Sequence, residues 1–138
     1  MTKEVWINLP VKNIEASKAF FKQIGFEFNE QFGGDASISA CMLVGHKKMV
    51  FMLFQETIFK NFTQQPLADT SKTAELLISF DAESKEEIDA IAKNVEQAGG
   101  HLFAKPASLQ GWMYGCGFCD LDGHRWNALY MDFSKLPQ

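Results

Sequence analysis

One order of strand, helix and turn signals occurs twice along this chain, and that duplication limits the folds open to it more than any other feature. In the first copy, Val5-Trp6-Ile7-Asn8-Leu9-Pro10-Val11 reads as a strand, with Pro10 restricting it to an edge or an end. Asn13 suits an N-cap, and Ile14, Ser17, Phe20, Phe21 and Ile24 fall at helical spacing until Gly25 stops the helix. Phe26-Glu27-Phe28 opens a further strand and Gly33-Gly34 punctuates it. Ser37 to Leu43 and Lys48 to Phe54 follow as two strands around a turn at Gly45. The second copy begins with a strand over Glu75 to Phe80 and a capping box from Ser84 to Glu87. Ile88, Ile91, Ala92 and Val95 give the buried stripe of a helix that ends at Gly99-Gly100. Strands at His101 to Phe103, Tyr114 to Asp120 and Arg125 to Met131 complete it, the last two joined at Asp122-Gly123. The turns Gly45-His46-Lys47-Lys48 and Gly123-His124-Arg125-Trp126 resemble each other and suggest that the copies align there.

Two β-α-β-β-β modules, over about residues 4–54 and 74–133, therefore form one α+β domain spanning residues 1–138. Each half alone would be marginally stable, whereas 138 residues suffice for a core without disulfides or a structural metal. The linker, residues 55–73, is polar and contains Pro66, and Ile58, Phe59 and Phe62 suggest a short helical turn or a lid within it. The interior is soft and aromatic, since 13 phenylalanines and six methionines stand against only two tyrosines.

A formal charge of −4 argues against a general nucleic-acid binder. No apolar stretch approaches the roughly 20 residues of a membrane span, the longest being Met49 to Phe54. No signal-peptide pattern opens the chain, and three cysteines, an odd number, read as reduced thiols, so a cytoplasmic location is expected.

Trp6-Ile7-Asn8-Leu9-Pro10-Val11 with the helix through Phe20-Phe21 and Gly25-Phe26, and Asp120-Leu121-Asp122-Gly123-His124-Arg125-Trp126 at the other end, resemble the vicinal oxygen chelate superfamily. That group includes glyoxalase I, bleomycin-resistance proteins and extradiol dioxygenases. The resemblance runs from Val5 to about Asp132 and is nearest to the lactoylglutathione lyase-like branch. It implies an eight-stranded, curved, open sheet and a homodimer, although the cavity can also form within one chain. It also implies a divalent metal held by His, Glu or Gln side chains from the first and last strands of each module, where the ion acts as a Lewis acid.

Carried over residue by residue, the implied ligand set is incomplete. Trp6 opens the first module's strand and cannot bind a metal; its counterpart in the second module is taken as Glu75. Asn127 occupies the last-strand position that is usually a glutamate, and Met49 to Phe54 offers no hard ligand. No stable metal is expected, and a divalent ion could bind only weakly or with the help of substrate. The candidate site is thus Glu75 as an acid or base in an apolar cavity, with Trp6, Asn127, Trp112 and Tyr114 as ligand-binding residues.

Cys116-Gly117-Phe118-Cys119 has the spacing of a redox pair, but it lies in a strand, where residues three apart point to opposite faces; structural thiols are the simpler reading. His46 and His124 follow turn glycines, and His101 follows a helix C-terminus that favours a cation. The expected function is capture of a small molecule in an aromatic cavity without a stable metal. The alternative is a lyase or isomerase that uses Glu75.

Overall fold

Helix caps and strand pairing divide the chain into two units that repeat one topology. The computed structural model describes residues 1–32 and 34–137, so Gly33 of the expected breaker pair lies outside the described residues. Unit 1 spans Met1–Asp69 and unit 2 spans Thr70–Gln138.

In unit 1, strand β1 (Ile7–Val11) leads into helix α1 (Ile14–Gln23), followed by β2 (Glu27–Phe28), β3 (Ser39–Val44), β4 (Met49–Gln55) and helix α2 (Glu56–Thr63). The strands lie in the order β1-β4-β3-β2, with β1 parallel to β4 and the other pairs antiparallel. Unit 2 repeats this with β5 (Leu77–Asp81), helix α3 (Lys85–Gln97), β6 (His101–Leu109), β7 (Met113–Cys119) and β8 (Arg125–Met131), in the order β5-β8-β7-β6. A single 3-10 turn, Phe133–Lys135, follows.

The two long helices start and stop alike. Asn13 Oδ1 accepts the Ala16 N–H, and Ser84 Oγ accepts the Glu87 N–H. The expected return bond of the capping box is displaced by one residue, because Glu87 Oε2 accepts from the N–H of Glu83 rather than Ser84. At the other end, the Gly25 N–H donates to Lys22 O and the Phe26 N–H to Phe21 O, while Gly99 and Gly100 donate to Glu96 O and Val95 O. Each helix thus closes in a Schellman motif with glycine at positive φ, +109° at Gly25 and +96° at Gly99. In unit 1 the Phe21 and Phe26 rings stack across the motif at 5.9 Å.

Alternation along the strands then fixes the two faces of each sheet. Leu9, Val11, Met42, Phe51 and Leu53 are buried with Ile14, Phe20 and Phe21 of α1. Phe118, Trp126 and Ala128 are buried with Ile88, Ile91, Ala92 and Val95 of α3. There the Phe118 and Trp126 rings stack at 6.3 Å, with Phe80 edge-on to both.

Several boundaries differ from those expected, each for a local reason. The second module's first strand starts at Leu77; Glu75 lies in an exposed bend two residues earlier. β6 runs to Leu109 rather than Phe103, because an edge strand accommodates Pro106 where the register shifts between Ala104 and Ala107. The segment between the modules contains α2, which packs on β1 and β4 and sets Phe62 edge-on to Phe54 at 5.1 Å. The two glycine-histidine turns do not align as their wording suggests. Lys48 N–H donates to Gly45 O, as Gly123 N–H does to Asp120 O, so Gly45 corresponds to Asp120 and Lys48 to Gly123. No described helix is long and apolar enough to cross a membrane.

Candidate functional site

The face of the second sheet turned away from α3 carries the candidate site, and strand register builds it row by row. Paired residues on neighbouring strands share a face. The first row across the sheet is His101, Cys119, Arg125 and Leu77; the second is Ala104, Gly117, Asn127 and Ser79. The third is Ala107, Gly115, Leu129 and Asp81, and Leu109, Met113 and Met131 form the last. His101, Cys119 and Arg125 therefore sit at one end and Leu109, Met113 and Met131 at the other, with small residues on β6 and β7 between them and Asp81 on β5 beside Leu129.

The small residues are required by close packing. A Cβ on Gly117 would lie 2.5 Å from the Phe103 ring, and one on Gly115 would lie 2.6 Å from Ala128 O and Leu129 Cδ2. Phe103 is thereby laid over the Gly117 backbone. The Arg125 guanidinium sits above the same ring, 4.5 Å from its centroid. Burial raises the Cys119 thiol above its ordinary value, against the pull of neighbouring Arg125. The thiol is thus held neutral rather than primed as a nucleophile.

Of the five candidate residues, only Asn127 stands in this grid. Tyr114 lies on the α3 face: its hydroxyl donates to Asp89 Oδ1 at 2.7 Å, and Lys85 Nζ sits 5.7 Å from its ring centroid. That hydrogen bond, more than burial, pushes the phenol pKa up. Trp112 precedes β7, its carbonyl accepting the Asp132 N–H and its ring 5.9 Å from Phe133. Neither aromatic shares Asn127's face within the sheet, because Tyr114 and Gly117 are an odd number of residues apart. Trp6 belongs to unit 1, just ahead of β1, and is 52% exposed. Glu75 is exposed, so the burial that would make it a poised acid or base is not found.

The caps and pairings also fix which positions correspond between the units. Trp6 stands seven residues before its cap Asn13, and seven before Ser84 stands Leu77, not Glu75. Pairing of Ile7 with Phe51 and of Ile78 with Trp126 makes Met52 the counterpart of Asn127. The four repeated positions are thus Trp6, Met52, Leu77 and Asn127: an indole, a thioether, an alkyl group and one amide. Neither unit's pair fits a hard divalent cation, which needs several oxygen or imidazole ligands. Among the described residues, no three His, Cys, Asp or Glu side chains group closely enough to hold a metal.

The motif Asp120-Leu121-Asp122-Gly123-His124-Arg125-Trp126 has a structural basis. Buried Asp120 accepts the Asp122 and His124 N–H groups on Oδ1 and the Trp126 indole N–H on Oδ2, each at 3.0 Å. Burial raises its pKa, opposed by the nearby His124 and by the indole hydrogen bond. The carboxylate thus fixes the turn that launches β8, and with it the positions of Arg125 and Asn127. Cys116 and Cys119 are free thiols on opposite faces, Cys116 buried towards α3 and Cys119 in the first open row.

Arg125, Phe103 and Ser79 were not among the residues singled out from sequence. Parity was the available signal for one of them: Arg125 is two residues before Asn127 in a strand and therefore shares its face.

In unit 1, an open depression of about 500 Å³ is lined by residues including Lys12, Asn13, Glu15, Ser37 and Gln55 at the start of α1. It contains none of the candidate residues.

Comparison with known proteins agrees with this frame. A family model described as bleomycin resistance protein-like N-terminal matches residues 3–40. The structure of a hypothetical protein from S. aureus, SA1046, is similar at a TM-score of 0.83 and 32% identity, covering 94% of this chain and 95% of that one. A glyoxalase/bleomycin resistance protein/dioxygenase family enzyme from Burkholderia phytofirmans PsJN superposes at a TM-score of 0.74 with 22% identity, covering 91% and 96% of the two chains. The fosfomycin resistance protein FosX from Listeria monocytogenes shares the fold at a TM-score of 0.68 and 18% identity, covering 98% of each chain. No curated protein matches significantly.

Proposed function

We propose that the chain is a member of the vicinal oxygen chelate superfamily of glyoxalase, bleomycin resistance and dioxygenase proteins, a reading that its fold and the N-terminal family match support, and that it binds a small molecule on the open face of its second sheet without a resident metal. The observation that carries this reading is the grid itself. A few polar groups, Arg125, Asn127 and Ser79, stand beside a floor of glycine, alanine and apolar side chains. Ligand sites characteristically combine an apolar lining with a small number of placed polar groups. The four repeated positions, with one amide among them, support a mode of recognition that does not pass through a chelated ion.

Binding on this face would use Asn127 as both donor and acceptor and the Phe103 ring, lying over Gly117, as an apolar surface. A lyase or isomerase reading with Glu75 as acid or base has less support, since that side chain is exposed and outside the grid. We also propose a homodimer, as the family resemblance implies.

The test is an amide-resolved NMR titration of the full chain with a small-fragment library in EDTA. Fragments that bind should shift Ser79, Gly115, Gly117 and Asn127 together, and Asn127→Ala should weaken them several-fold. Binding that shifts only α3-face amides, or that requires added metal, would remove this reading.

A further inference from the structure

Arg125 is the chain's single arginine among 13 basic residues, and it stands at the polar end of the open face. Among the described residues its guanidinium is engaged only by the Phe103 ring, with no carboxylate or carbonyl partner. A ring face takes up positive charge but leaves the in-plane N–H donors without acceptors. Asp81, on the same face, is two rows away, four residues along the strand direction and so about 13 Å distant. In a chain of net charge −4, a half-buried arginine that is clamped by an aromatic ring and has no acid beside it is unusual. The clamp has a cause: Phe103 can lie flat only because Gly117 has no side chain. The ring contact restricts the positions open to the guanidinium, which lowers the entropy cost of using it.

Resting on the proposed function above, we infer that this face reads a small organic oxyanion. Its acidic group pairs with Arg125, next to the Asn127 amide, and its apolar part lies against the Phe103 ring, which covers Gly117, and along Leu129 and Met131. The geometry matches such a ligand. Arg125 and Asn127 are alternate residues of one strand, about 7 Å apart along it, close enough to serve one acid head group. Beyond the second row, β6, β7 and β8 contribute only small or apolar residues, ending at Leu109, Met113 and Met131, while Asp81 stands on the outer strand β5 beside Leu129. A planar guanidinium presents paired N–H groups to two oxygens at once, which a lysine cannot do.

The experiment is an NMR titration of the full chain with hexanoate, hexylphosphonate, hexanol and inorganic phosphate. Hexanoate should bind at least about tenfold more tightly than hexanol, the scale of one charge-assisted hydrogen bond. Arg125→Gln should bring hexanoate down to the level of hexanol and leave hexanol unchanged, while Arg125→Lys should fall between. The lysine variant keeps the charge and guards against a folding defect in Arg125→Gln. Preference for hexylphosphonate over hexanoate, if abolished by Arg125→Gln, also supports the inference and assigns the acid as a phosphonate. Hexanol binding as tightly as hexanoate would overturn the inference while leaving small-molecule binding intact. So would inorganic phosphate binding as tightly as hexanoate, or hexanoate affinity indifferent to Arg125→Gln. If none of hexanoate, hexylphosphonate and hexanol shifts the face, both this inference and the proposed function fall.

Discussion

The two units solve the same hairpin turn with different chemistry. Before β4 the turn runs Gly45-His46-Lys47-Lys48, and Lys48 occupies the left-handed position at φ +52°. Before β8 the corresponding residues run Asp120-Leu121-Asp122-Gly123, and glycine occupies that position at φ +82°. In unit 2 the first residue of the turn is a buried aspartate that accepts three hydrogen bonds; in unit 1 it is a glycine with no side chain to offer. The more tightly specified turn is the one that positions Arg125 and Asn127. Backbone pattern sets the fold in both units, and buried polar chemistry is added where β8 must be held in place.

Asp120→Ala should give the largest effect on this contrast. It leaves a buried indole N–H and two turn amides without acceptors and should cost about 3 kcal/mol in urea unfolding. Gly45→Asp should cost less, about 1 kcal/mol, because Gly45 sits at φ +79°, where a side chain is strained, and has no buried side-chain hydrogen bonds to lose. Equal small effects at both positions would remove the distinction.

The thiols provide a second contrast. Burial, with Asp89 adding to it, pushes Cys116 from the ordinary thiol value of 9.0 to about 11. At pH 8 the native Cys116 should therefore react with iodoacetamide about a hundredfold more slowly than an ordinary thiol. The sign for stability follows from the raised folded-state pKa. The neutral thiol's contribution is complete below pH 9.0 and is lost as pH climbs through about 11. Cys116→Ala should remove that part of the alkaline transition. Cys41 in unit 1 is also raised by burial and should be protected in the same direction.

Gly123→Ala should cost about 2 kcal/mol, since its Cβ would lie 2.5 Å from Thr70 Oγ1, which donates to Asp122 O. The smallest effect is expected at the matching position: Lys48→Gly should stabilise by about 0.5–1 kcal/mol by relieving a left-handed backbone at a non-glycine residue. Opposite signs at these two sites, read by thermal or urea melts, would confirm that the turns correspond as assigned.

Much of the frame was legible because local chemistry marks it directly. Asn13, Ser84, Gly25 and Gly99 cap their helices as their residue types suggest, and the β-α-β-β-β order appears in both units. The site was less legible because it depends on parity and register. Glu75 pairs with Trp6 when each is read as the residue that opens its module's first strand, whereas the distance to the cap makes Leu77 the counterpart. Tyr114 looked like a pocket residue until strand alternation set it on the α3 face beside Asp89. Phe103 acquires its role only through the bulged β6, whose proline and lysine concealed the strand.

The central claim is that the repeated positions Trp6, Met52, Leu77 and Asn127 are too poor in donors to hold a metal and that the second sheet's open face recognises its ligand directly. Calorimetric titration of the metal-free chain with Ni²⁺, Zn²⁺ and Mn²⁺ tests it most directly. The account predicts no saturable one-to-one site and no change on Asn127→Ala. A stoichiometric site that disappears in Asn127→Ala would contradict it.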